Sequence, residues 1–170
     1  MKRKNIRLYL LRAFLLLLIL LDAALIFSFS AQDGDTSNEH SDKVESAVAD
    51  TILPDYDPEK PTEERTWFDE NLTVLIRKSA HVLVFGTLGA LILLLLLTWH
   101  TDPLSAYLTA LLLTLLYAIT DEIHQLFIAG RSGHVTDVLI DMCGALAFNT
   151  VIFLIARHAR RHEGKLVTTT

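Results

Sequence analysis

Asp121, Glu122, His124 and Gln125 fall within five consecutive residues, and Arg131, His134, Asp137 and Asp141 follow them closely. Carboxylates and imidazoles are the side chains that transfer protons near neutral pH. Arginine grips carboxylate or phosphate through a planar fork. Residues three and four apart share a helix face, so Asp121, His124 and Gln125 are expected to line one face. Glu122 flanks that group through its spacing to Gln125. The same rule puts Asp137 and Asp141 on one face of the following segment. It puts Lys78 and His81 on one face of an earlier segment, next to Arg77.

The elements that must hold these residues are apolar. The chain has 170 residues, 51% of them hydrophobic, with mean hydropathy +0.37. That length fits one domain, and the composition is that of a membrane protein. Leu8–Phe29, Ala80–Thr98, Leu104–Ile119 and Val135–Ala156 are four candidate spans. At about 1.5 Å per residue, stretches of this kind cross a hydrocarbon core of about 30 Å. Asp22 is the one charge inside the first stretch apart from Arg12 near its start. A cleaved signal peptide competes there, because Ser28-Phe29-Ser30 offers small residues for cleavage. Its apolar run is longer than the about 7–15 residues of a signal peptide, which favours an uncleaved span. Gly86, Gly89 and Ala90 allow close helix approach in the second span. Thr101-Asp102-Pro103 reads as a tight turn, with Asp102 as N-cap and Pro103 in the first helical position. So short a turn makes the second and third spans antiparallel neighbours.

Charge is segregated along the chain, so the formal net charge of −5 hides its pattern. Both ends are basic, and residues 31–79 are rich in Asp and Glu. Basic flanks mark the cytoplasmic side. Both termini are therefore expected in the cytoplasm, with the acidic segment outside. Within that segment, Val44, Val48 and Ile52 form an amphipathic stripe that Pro54 ends. Trp67, Phe68, Leu72, Leu75 and Ile76 share a helical face leading into the second span. All the unusual polar residues then gather at the outer face. No nucleic-acid motif is present. Cys143, the single cysteine, lies in an apolar run and reads as a packing residue.

Three chemistries fit the polar set. In one, His81 and His124 with Asp121, Glu122 or Asp137 hold a divalent metal, although the spacing is not HExxH. In the second, Arg77, Lys78 and Arg131 bind an anion such as a lipid-linked phosphate, and Glu122 or His124 serves as acid or base. In the third, the groups merely satisfy one another and lock the helices together.

The segments FSFSAQDG, RKSAHVLVFGTLGALILL and DEIHQLFIAGRSGHVTDVLIDMCGA resemble the VanZ-like family, across about Phe27 to Ala147. The resemblance implies a four-helix protein of the bacterial cell membrane, in a family whose founding member is linked to low-level teicoplanin resistance. It maps the family's recurrent polar positions to Arg77, Lys78, His81, Asp121, Glu122, His124, Gln125, Arg131 and Asp137. Asp141 stands where that pattern commonly has asparagine, and the glycine expected near Phe148 is missing.

The expectation is an all-α integral membrane protein: a four-transmembrane-helix bundle with an acidic extracytoplasmic segment containing short amphipathic helices. Residues 1–30 hold the basic start and first span, 31–79 the acidic segment, 80–157 a VanZ-like three-helix core, and 158–170 a basic tail. Asp121, Glu122, His124 and Asp137 are the catalytic candidates. Arg77, Lys78, His81, Gln125, Arg131 and Asp141 are the binding candidates. No metal site or cofactor is assigned. The expected partners are the lipid bilayer and a lipid-linked cell-envelope precursor, not nucleic acid. The corresponding function is modulation of sensitivity to teicoplanin-type glycopeptides. A membrane hydrolase or transferase, and a structural or partner-binding membrane protein, are the alternatives.

Overall fold

The computed structural model describes residues 2–32, 67–99 and 102–167. The amphipathic stripe at 39–53 and most of the acidic segment lie outside the described residues. Four helices follow in order: α1 (Lys2–Ser30), α2 (Trp67–Leu97), α3 (Pro103–Gln125) and α4 (Val135–Val167). There is no strand among the described residues. Each helix contains a segment long and apolar enough to cross a membrane: Asn5–Ser30, Val74–Leu97, Pro103–Gln125 and Val135–Arg160. The bundle is the expected all-α membrane architecture.

α3 shows why these residues associate as they do. Ala106, Ala110, Thr114, Ala118, Asp121 and Gln125 are buried along one side. Leu104, Leu108, Leu112, Leu116, Ile119 and Ile123 are exposed on the other. In water that pattern would be backwards. In lipid it is sound, because large apolar side chains meet acyl chains while small residues let helices approach. Thr114 donates to the Ala110 carbonyl at 2.9 Å, so its hydroxyl is satisfied within its own helix.

α4 packs most extensively on α2, and α3 packs against both. The α2–α4 contact is closest at Gly144, where an added Cβ would strike the Val82 carbonyl oxygen. At Gly86 an added Cβ would sit 2.8 Å from the Phe148 ring. A large residue on α4 thus fills the space left by a small one on α2, which accommodates the glycine missing near Phe148. Phe85, Leu88, Ile26 and Ala118 form one buried cluster, and Leu93, Ala106 and Ala110 a second.

The α2–α3 turn forms as its sequence dictates. Asp102 caps α3 by accepting from the Ser105 amide at 3.0 Å, with Pro103 in the first turn. Arg12 of α1 clamps the end of α2. Its guanidinium donates to the Thr98 carbonyl at 2.7 Å and to the Thr98 hydroxyl at 3.0 Å, and lies 4.7 Å from the Trp99 ring centroid. It thereby satisfies a carbonyl that a helix end leaves without a partner. Helices extend beyond two expected limits. α3 continues through the polar run to Gln125, and α4 continues into the basic tail as far as Val167. Cys143 is exposed on α4 rather than packed inside.

Candidate functional site

The polar residues collect at the end of the bundle opposite Arg12 and Trp99. Helical geometry sorts them. At about 100° per residue, Asp121 and Gln125 lie about 40° apart, with Glu122 about 60° to one side of Gln125. His124 lies about 60° to the other side of Asp121. The structure follows that division. Gln125 Nε2 donates to Asp121 Oδ2 at 3.0 Å and reaches Glu122 Oε1 at 3.4 Å.

Glu122 faces the α3–α4 connection. Its Oε2 accepts from the His134 amide at 2.8 Å. The connection folds back onto the end of α3 through Phe127 N–H to His124 O, Ile128 N–H to Gln125 O and Arg131 N–H to Ile128 O. Gly130 takes a positive φ of 72°, which a side chain would strain. Gly133 packs against α3, where an added Cβ would lie 2.6 Å from the Glu122 carbonyl oxygen. Ser132 and His134 pair through Oγ and Nε2 at 2.7 Å. His134 is exposed, as expected for a loop residue.

His124 faces α1 instead. Its ring stacks on Phe27, with centroids 4.6 Å apart. Its Nε2 is buried without a hydrogen-bond partner among the described residues.

The centre of the site lies between α2 and α4. His81 Nδ1 meets Asp141 Oδ1 at 3.0 Å, and Asp141 is fully buried. Its second oxygen, Oδ2, is buried without a partner among the described residues. A carboxylate on one imidazole nitrogen fixes the tautomer and orients the ring. The other nitrogen, Nε2, is then the one available to a ligand.

Beside His81 lies a cavity of about 250 Å³. Arg77, His81, Asp121, Gln125, Arg131 and Asp137 supply its polar wall. Ile26, Phe29, Ile76, Val84 and Phe85 supply its apolar wall. The structure thus gathers six of the candidate residues around one space. Lys78, Glu122, His124 and Asp141 do not line it. Lys78 is exposed, Glu122 holds the loop, His124 stacks on α1, and Asp141 stands behind His81. On α2, the residue that joins His81 on the cavity wall is therefore Arg77, four positions away, rather than Lys78. No group of three His, Cys, Asp or Glu side chains is placed to hold a metal ion among the described residues.

Sequence reasoning missed the contribution of α1. Ile26, Phe29, Ser30 and Gln32 complete the cavity. Ser30 is buried with its hydroxyl unpartnered among the described residues. The signal was there: Ser28, Ser30 and Gln32 are polar residues at the end of an apolar run, but small residues there also suit a cleavage site. Asn149 was missed as well. It is fully buried beside Gly89, with neither amide atom hydrogen-bonded among the described residues.

Four apolar helices enclosing a cavity with charged walls define a multi-pass membrane protein with a polar site at one end. The chain belongs to the VanZ/LLP1 family, whose model matches residues 14–156. No curated protein and no solved structure matches it.

Proposed function

We propose that the cavity at the α2–α4 end receives the anionic group of a lipid-linked cell-envelope precursor, and that this lowers sensitivity to teicoplanin-type glycopeptides. One observation carries the proposal: Arg77 and Arg131 share the wall of a cavity that also has an apolar side. Arginine pairs with phosphate through two parallel hydrogen bonds. Charged groups at the end of membrane helices are costly unless they serve a ligand or one another. The basic residues near both termini support a cytoplasmic location for the other end, and with it a cavity at the outer leaflet of a bacterial cell membrane. Such drugs act at that face on lipid-anchored precursors.

The His81–Asp141 pair favours a second reading, in which the bound group reacts. An imidazole held through Nδ1 can carry a proton on Nε2, as a general acid or base does. Asp121 and Asp137 line the same space and are the further acid–base candidates. The cluster then serves a hydrolase or transferase.

The experiment is teicoplanin susceptibility of bacteria carrying wild type, Arg77→Ala, His81→Gln or Asp141→Asn at matched membrane levels. Anion binding predicts that wild type protects and Arg77→Ala abolishes protection. Retained protection in both His81→Gln and Asp141→Asn then means binding alone suffices. Loss in both, with normal folding, favours the reactive reading. If Arg77→Ala protects as well as wild type, the anion proposal is wrong.

A further inference from the structure

A second space lies deeper along the same helices. It is an apolar groove of about 390 Å³ lined by Leu16, Ile19 and Ala23 of α1, Leu88 of α2, Trp99 just beyond α2, and Tyr117 of α3, among others. The same buried cluster contributes to both linings, Ile26 and Phe85 to the polar cavity and Leu88 to the groove. Tyr117, which also lines the groove, packs against that cluster. The Tyr117 hydroxyl donates to the Ala23 carbonyl at 2.7 Å, and its ring lies 6.2 Å from that of Phe85.

The positions of the two spaces set the length of what could fill both. Along α2, Arg77 to Leu97 is about 30 Å at about 1.5 Å per residue, and Trp99 lies in the turn just beyond. A hydrocarbon core is about 30 Å thick, so the chain of an ordinary lipid ends near the middle, about 15 Å in. The groove begins near that depth and continues to Trp99 at the opposite interface. Charged side chains line the cavity, where Arg77 stands, whereas the groove is lined by aliphatic side chains with Tyr117 and Trp99.

We propose that the cavity and the groove together hold an anionic lipid with one chain longer than a leaflet. Its phosphate sits at Arg77 and its chain runs between α1 and α2 toward Trp99. The inference rests on the anion reading of the cavity and adds the nature of the chain. Isoprenoid phosphates of long chain have this chemistry. Entry of the chain past Phe85 and Tyr117 requires those rings to turn aside, or the chain to pass them on the lipid side.

The test uses the full chain carrying Trp67→Phe, so that Trp99 is the remaining tryptophan. The protein is held in detergent and titrated with a long single-chain phosphate monoester brominated at the chain end. Saturable quenching of Trp99 is the expected result. Competition by an unlabelled phosphate whose chain stops at the midplane should be about tenfold weaker than by the long-chain form, and inorganic phosphate weaker still. Arg77→Gln should weaken the long-chain probe about tenfold, and Ala23→Leu, which fills the groove, should weaken it similarly.

Equal competition by the short-chain phosphate overturns the chain proposal and leaves the anion reading standing. Equal quenching by the long-chain alcohol, unaffected by Arg77→Gln, overturns both. Equal quenching by a chain-brominated phosphatidylglycerol makes the groove an ordinary lipid boundary and overturns the proposal. The chain-length comparison needs no groove substitution, so it stands even where Ala23→Leu misfolds.

Discussion

Gly144→Ala tests how α2 and α4 meet. A Cβ there would strike the Val82 carbonyl oxygen and approach the Val82 carbonyl carbon and Cα to 2.9 and 3.0 Å. These are backbone atoms, so no change of rotamer relieves them. The helices must part by on the order of 1 Å to restore ordinary contact. Val82 adjoins His81, and Gly144 lies one turn from Asp141. The same separation stretches the 3.0 Å His81–Asp141 contact toward about 4 Å, beyond hydrogen-bonding range. Overpacking a tight contact costs about 1–3 kcal/mol, and leaving the buried pair unmade costs about 1–3 kcal/mol more. Helix propensity acts in the opposite direction. Alanine is favoured over glycine by about 1 kcal/mol in a helix interior, and by less where the unfolded state stays helical in detergent. The sign of the effect is therefore decisive. The assay is unfolding of the purified protein by sodium dodecyl sulfate in mixed micelles, with Ala147→Gly at an exposed position measuring propensity alone. Gly144→Ala should unfold at lower dodecyl sulfate than wild type. An unchanged or raised midpoint would refute the close approach and its coupling to the His81–Asp141 pair.

Two further outcomes follow from single contacts. Glu122→Ala removes the acceptor of the His134 amide and should cost about 1–3 kcal/mol in the same assay, whereas Glu122→Gln keeps an oxygen in place and should recover most of it; equal loss in both would show that the charge, not the hydrogen bond, holds the loop. Arg12→Ala should loosen α1 and cost about 1–2 kcal/mol in the same unfolding assay, and Arg12→Lys should not restore the loss, because a lysine lacks the fork that spans the Thr98 hydroxyl and carbonyl; full rescue by lysine would reduce the clamp to a simple charge.

The helices were legible because lipid imposes a single rule over many residues. Apolar runs long enough to span must be helical, since every backbone group has to find its partner within the segment. The Asp102-Pro103 cap was legible for the same kind of reason, a local hydrogen bond written in adjacent residues. The end of α3 was harder. The spacing put Asp121 and Gln125 on one helix face at the end of the span, but it did not show that Asp121, Glu122 and Gln125 are buried. Their burial depends on α2, α4 and the returning loop, none of which is local. Which neighbours pair across helices was not legible either. The spacing rule put Lys78 with His81, whereas Arg77 is the basic residue of α2 that lines the cavity with His81.

The polar set divides by what each group already holds. Glu122 accepts from the loop amide, and Gln125 bridges Glu122 to Asp121. These contacts hold the α3 end in place, as the helix-lock chemistry requires. Asp141 is committed to His81 through one oxygen only. His81 is committed to Asp141 through one nitrogen and faces the cavity. A purely structural pair would gain nothing from opening beside a space of about 250 Å³ that also receives Arg77, Asp121 and Asp137. A binding site gains orientation from it, because the buried carboxylate fixes the imidazole before any ligand arrives. On the proposed reading, lock and site are adjacent parts of one cluster: Glu122 and Gln125 hold the frame, and Asp141 aims His81 into the space beside it.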